Sequence, residues 1–255
     1  MKLYNYLNEN RSQEITEDQF DNLLEKNCSD IIKIYKQTGE YIYRGLSGGR
    51  SPYIHIDPTK SIRKSRNTSN FYTIMFDEIL PSWKKYPLRS KSIICATSVK
   101  VAMSYGKLYK VYPYNGSKIG KAPRTDIWLS FMNTFGDSLD VFNSSLLEIA
   151  RFFGIDIQEN KQSIISFAKE LDELKNKHKD LYKDEKIHNE FGVYHLLPNY
   201  LKSNKSFIEY VDGFLNAEKN GFSHYTTSNL KLNPNKEIWI EGPCLMVDDN
   251  IYIGV

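Results

Sequence analysis

The chain has 255 residues, a net charge of +3 and 25% charged residues, with a pI near 8.5. That length suits one large domain, or one domain with a sizeable insertion, around a real core. The mild basicity falls short of a dedicated nucleic-acid binder, and the three widely spaced cysteines, Cys28, Cys95 and Cys244 with no CxxC, argue against a disulfide framework or a zinc site.

Met1-Lys2-Leu3-Tyr4-Asn5 lacks an apolar signal core, and no stretch approaches the ~20 apolar residues of a membrane span, so the expectation is cytoplasmic with no membrane partner. A first helix is expected from Thr16 to Gln37. Thr16 with Gln19 forms a capping-box pattern, Phe20, Leu23, Leu24, Ile31, Ile32 and Tyr35 share one face, and Gly39 is the stop. Strand Tyr41–Arg44 follows, ended by Gly45 and Ser47-Gly48-Gly49. Residues 50–68 are polar and broken by proline, and read as loop. A helix is expected near Asn70–Leu80, and Pro81 and Pro87 bracket another loop. Ser92–Ala96 is a short apolar strand running into Thr97-Ser98. Ser98–Ser104 has helical spacing closed by Tyr105-Gly106, and Leu108–Tyr112 alternates as a strand up to Pro113.

The character changes after Asp126. From there to about Ala217 the pattern is helical, with apolar stripes in Ser144–Phe153, Ile164–Leu174 and Phe207–Leu215 and a highly charged stretch at 175–190. Strands return at Glu237–Ile240, Cys244–Val247 and Ile251–Ile253, with Asp248-Asp249-Asn250 as a turn between the last two. Strands before 113 and after 235 around a helical block give an α+β class: one domain, 1–255, with a helical insertion at 127–217. The two strand groups should share one sheet system, since three terminal strands alone are marginal.

Three pieces carry chemistry. In Tyr43-Arg44-Gly45 an arginine at a strand end can fork onto phosphate or ribose oxygens, and Gly45 admits a ligand to the backbone; the alternative is a structural ion pair. Thr97 and Ser98 can cap the helix that follows or orient a carboxylate in a cleft. In Glu237-Ile238-Trp239-Ile240-Glu241, Glu237 and Glu241 have the same parity and face one side of a regular strand, so a carboxylate-pair glycosidase is conceivable beside a plain edge charge. The clusters Lys60, Arg63, Lys64, Arg66 and Lys84, Lys85, Arg89, Lys91, with 18 tyrosines, permit a phosphate-attracting face or simply a solvated one. His55-Ile56-Asp57 and the set His178, His188 and His195 lack metal-site spacing, so no metal is expected.

In that order, Tyr-Arg-Gly, an apolar strand with Thr-Ser, and a glutamate opening an apolar strand resemble the arginine–serine–glutamate class of mono-ADP-ribosyltransferases, which includes bacterial toxins and phage enzymes. Val101–Val111 is similar to the helix-then-strand segment after that family's serine motif. The resemblance covers 40–125 and 230–255. It implies a split mixed β-sheet core with an N-terminal helix and a large helical insertion, and NAD as co-substrate with no metal. Arg44 and Gly45 would bind NAD, Thr97 or Ser98 would position Glu237, Tyr105 would stack on nicotinamide, and Glu237 would be the catalytic carboxylate. The family's first motif serine falls at Ala96. Where the family often has Glu or Gln, two residues before the catalytic glutamate, this chain has Asn235, an acceptor-orienting position. Its amide pairs less readily with a guanidinium, which moves the acceptor from arginine toward other protein side chains or a nucleic-acid base. The resemblance also implies a toxin or phage-defence setting and an antitoxin or other regulator. Ala96 and Asn235 equally suit a catalytically degenerate nucleotide- or partner-binding module.

Overall fold

The computed structural model describes residues 12–131 except 50 and 66–68, 150–177 except 152 and 156, and 196–253 except 252. Most of the expected stripe at Ser144–Phe153, the charged stretch beyond 177, Arg66 and the three histidines His178, His188 and His195 lie outside the described residues. The fold is α+β, with a nine-stranded sheet and, among the described residues, seven α-helices. The chain divides into two compact units, one formed by residues 1–64, 85–130 and 221–255, the other by 65–84 and 131–220.

The first unit contains the whole sheet. Its strands are β1 (Ser12–Glu14), β2 (Tyr43–Leu46), β3 (Tyr53–Ile56), β4 (Ile93–Ala96), β5 (Lys107–Pro113), β6 (Lys118–Lys121), β7 (Ser223–Thr226), β8 (Glu237–Glu241) and β9 (Cys244–Asp248). The order across the sheet is β1-β3-β9-β5-β2-β4-β8-β6-β7. Every pairing is antiparallel. The expected mixed sheet is corrected on this point: no helical crossover separates neighbouring strands into a parallel pair. The sheet does have a waist. β2 meets β4 through the single pair Tyr43↔Ala96, whereas β2–β5 and β4–β8 each run through four pairs.

Two features flank the waist. Helix α4 (Val99–Met103) packs against β2 at Gly45, where a Cβ would lie 1.9 Å from the Ala102 carbonyl oxygen. Beyond Tyr43 the ladder to β4 stops, and the Arg44 guanidinium Nη1 donates to the Ile94 carbonyl instead, at 2.6 Å.

The expected long first helix is two, α1 (Glu17–Asn27) and α2 (Ser29–Thr38), broken at Cys28 (φ −121°, ψ 19°). The Thr16–Gln19 capping box forms, and Gly39 ends α2 at φ 69°. The pair buries Phe20, Leu24, Cys28, Ile31 and Tyr35 against the sheet residues Val111, Tyr112, Ile54 and Met246. The break keeps the apolar face on the sheet across a change of direction. At its far end the Tyr35 hydroxyl donates to the Val111 carbonyl. Residues 53–56, expected as loop, are β3, pairing with β9 from Tyr53↔Val247 to Ile56↔Cys244. β8 and β9 are joined by Gly242-Pro243 and do not pair with each other, and Ile251 is not a strand residue.

The second unit is helical: α3 (Asn70–Ile74) running into a π-helical turn (Met75–Ile79), α5 (Lys161–Lys177), α6 (Leu196–Lys202) and α7 (Phe207–Phe214). Phe76 stacks between Trp83 (4.1 Å) and Phe131 (5.8 Å). Asp172 on α5 ties two other elements by accepting from the Tyr200 hydroxyl at 2.5 Å and from the Phe207 amide at 2.8 Å. Ser206 caps α7 through a capping box with Glu209. The expected helix at Ile164–Leu174 lies within α5, and its buried face is Ile164, Phe167, Ala168 and Leu171.

Candidate functional site

The waist brings the three sequence pieces together. β2, β4 and β8 are consecutive in the sheet. Tyr43, Ala96 and Glu237 form one row across them. Arg44 follows Tyr43 on β2, and Thr97 follows Ala96 at the end of β4. Residues 193 positions apart in sequence thus stand around one seam.

Thr97 is bound to the turn that leads into β8, not to the Glu237 carboxylate. Its hydroxyl donates to the Asn233 carbonyl (2.7 Å) and accepts from the Lys236 amide (2.9 Å), and its own amide donates to the Lys236 carbonyl (3.0 Å). Lys121, buried on β6, grips the same turn. Its ammonium donates to the Lys231 carbonyl and to Asn233 Oδ1, both at 2.8 Å, and lies 4.9 Å from the Tyr225 ring centroid. Asn235 is exposed at the tip of this pinned turn and is the one non-glycine described residue in the left-handed region, at φ 58°. Ser98 caps α4, accepting from the Val101 amide at 3.4 Å. Tyr105 is 48% exposed just past α4. At Gly45 the approaching group is the α4 backbone, so the missing side chain serves helix packing there.

Glu237 is buried at the start of β8, and its environment was not foreseen. Arg89 Nη1 donates to its Oε1 at 2.8 Å, with both side chains almost fully enclosed (3% and 10% exposed). The Ile127 amide donates to Oε2 at 3.0 Å. The Glu237 amide donates to the Arg124 carbonyl at 2.7 Å, and the Ala122 amide to the Glu237 carbonyl at 2.9 Å. A strap of residues 122–128 therefore lies along Glu237. The Arg89 guanidinium sits between two indoles, 5.6 Å from Trp128 and 5.3 Å from Trp239. This aromatic clamp suits the weakly hydrated guanidinium.

Segment 87–89 runs along the β8 face. The Trp239 indole donates to the Pro87 carbonyl (2.9 Å), and the Leu88 amide donates to Glu241 Oε2 (2.9 Å). Glu237 and Glu241 do share a face, as their parity required. Asp126 on the strap is half-buried, and its Oδ1 accepts from the Trp128 amide at 2.7 Å. Burial and the neighbouring Glu237 charge raise its carboxyl above the usual 3.8, against the pull of the Trp128 amide and Arg89.

Sequence reasoning placed Arg89 in a basic surface cluster and gave Asp126, Ile127 and Trp128 no role. Arg89 pairs with a residue 148 positions away, so no local pattern marks it. Among the described residues there is no cluster of three or more His, Cys, Asp or Glu that could hold a metal, and no helix is long and apolar enough to cross a membrane. The chain matches no protein-family model, no curated protein and no solved structure.

Proposed function

We propose that the chain is an NAD-dependent mono-ADP-ribosyltransferase that moves ADP-ribose from NAD to a macromolecular acceptor, a protein side chain or a nucleic-acid base. The observation that carries this reading is the gathering of Arg44 on β2, Thr97 just past the end of β4 and Glu237 on β8, three consecutive strands at the waist of the sheet. In this reading Arg44 binds the diphosphate or the nicotinamide ribose. Thr97 acts at one remove by fixing the turn before Glu237. Glu237 stabilises the ribosyl cation as nicotinamide leaves. A carboxylate offers about four lone-pair sites, so the bonds from Arg89 and Ile127 orient Glu237 without exhausting it. Tyr105, exposed beside α4, is available to stack on a ring.

The test is nicotinamide release from NAD, with and without cell lysate, by wild type and by Glu237→Gln. Release should fall by about 100-fold or more in the variant, the range expected when an electrostatic stabiliser is removed. Release that is absent, or equal in the two proteins, refutes the enzyme. Labelled NAD in lysate, followed by separate protease and nuclease digestion, then sorts the acceptor class.

The enclosure of the Arg89–Glu237 pair favours a second reading, a degenerate module that binds a nucleotide or partner without chemistry. It expects NAD binding without Glu237-dependent release. The glycosidase alternative lacks support: Glu237 and Glu241 are four residues apart along one strand, roughly 13 Å at the usual strand rise. Each is held by a different part of the covering segments, whereas glycosidase carboxyls stand about 5–9.5 Å apart.

A further inference from the structure

Transfer to a neutral acceptor needs a group to take the acceptor's proton, and Asn235 cannot do so, because an amide is not a base at neutral pH. We propose that Asp126 is that base, supplied by the strap beside Glu237. The inference rests on the transferase reading.

Asp126 is fixed next to Glu237 by the main chain on both sides of it. Two residues earlier the Arg124 carbonyl accepts from the Glu237 amide at 2.7 Å, and one residue later the Ile127 amide donates to Glu237 Oε2 at 3.0 Å. The Trp128 amide orients the Asp126 carboxyl through Oδ1 at 2.7 Å, and the Ser130 hydroxyl closes the turn on the Asp126 carbonyl at 3.2 Å. The Arg89 guanidinium binds Glu237 directly and acts on Asp126 through its charge. The two carboxylates differ in setting: Glu237 is locked in an ion pair, while Asp126 is half-buried and raised by burial and by Glu237. A raised carboxyl holds a proton more readily, as a general base must. The pair therefore divides the work: the Glu237 charge faces the developing cation, and Asp126 receives the proton.

In the step, the attacking oxygen or nitrogen of a hydroxyl, carboxamide or base amine bonds to C1′ of the nicotinamide ribose. The C1′–N bond breaks with its electron pair passing to nicotinamide. The acceptor's proton passes to the Asp126 carboxylate and from there to water.

Asp126→Asn is the informative variant, because its amide oxygen still accepts from Trp128. With adenylate-labelled NAD and lysate, transfer of label should fall about 100-fold, while acceptor-free nicotinamide release, in which the attacking water can pass its proton to bulk water, should fall by less than about tenfold. Transfer within threefold of wild type overturns the proposal, as does an equal fall in both reactions. Failure of the transferase reading itself looks different: wild type and Glu237→Gln then release nicotinamide equally. Should Asp126→Asn fail to fold, the wild-type pH profile decides. The charges facing Asp126 are Glu237 from β8 and Arg89 from the 89–91 turn. Transfer should be lost at a higher pH than release as acid protonates Asp126, and coincident profiles overturn the proposal.

Discussion

Arg89→Ala should be among the most damaging substitutions in the chain. The guanidinium is 3% exposed and its partner's side chain 10% exposed, so water cannot replace the lost charge at Glu237. Breaking a buried pair from one side costs about 3–5 kcal/mol. The two indole contacts add to the loss, each worth about 1–2 kcal/mol when desolvated. At roughly 2–4 °C per kcal/mol for a chain of this size, the broken pair alone should lower Tm by roughly 6–20 °C, and the lost indole contacts should lower it further. Urea unfolding followed by tryptophan fluorescence suits the measurement, since Trp128 and Trp239 both face the guanidinium. The decisive arm is the double variant Arg89→Ala/Glu237→Gln. The substituted glutamine would carry no charge, yet would keep an oxygen for the Ile127 amide. The double variant should therefore be more stable than the sum of the single losses by about 2 kcal/mol. A loss below about 1 kcal/mol for Arg89→Ala, or coupling below about 0.5 kcal/mol, refutes the account of Glu237 as a buried charge held by Arg89.

Gly45→Ala places a methyl 1.9 Å from the Ala102 carbonyl oxygen and 3.1 Å from the Gly106 amide; α4 must move, and chemical denaturation should register a loss of about 3 kcal/mol or failure to fold. Thr97→Val removes the hydroxyl that joins the Asn233 carbonyl to the Lys236 amide; it should cost about 1–3 kcal/mol by urea unfolding, while Thr97→Ser stays near wild type. The Asp248 carboxyl is raised by burial but lowered more by Lys107 (2.7 Å) and Asn250, for a net fall below 3.8. Its stabilisation is therefore present above the unfolded value of 3.8 and is lost as pH falls through the lower folded value. Asp248→Asn should cost about 1 kcal/mol at pH 7 and progressively less below pH 3.8, read from urea midpoints across pH.

The sequence was most informative where a local pattern carries the physics. The Thr16–Gln19 box, the α5 stripe and the apolar runs of β4, β8 and β9 all appear close to their expected bounds. β3 was hidden because Tyr53–Ile56 is only four residues long and is flanked by Pro52 and Pro58. β6 was hidden because it reads Lys-Ile-Gly-Lys. Its Gly120 exists to admit the Trp239 indole, 2.0 Å from where a Cβ would stand, and its Lys121 is buried on carbonyls. Both reasons lie across the sheet and leave no trace in the neighbouring residues. The break at Cys28 interrupts an unbroken helical periodicity, because either geometry keeps the same residues on the core. Arg44, Thr97 and Glu237 were each legible as strand-end polar groups. The partners of Glu237 were not, since Arg89 and Ile127 reach it from loops whose composition is that of ordinary surface.

The connection at Gly242-Pro243 has a bearing on how the chain is made. β8 lies between β4 and β6, and β9 lies between β3 and β5, on opposite sides of the waist. The central strand of each half-sheet therefore leaves the ribosome after both of the strands it pairs with. Until then β3, β4, β5 and β6 all carry open edges, which are templates for pairing with other chains. Residues 237–248 close both halves in one short passage, so the hazard of misassembly should be concentrated in the time before they emerge. A nascent chain stalled ahead of Glu237 would be the species to protect.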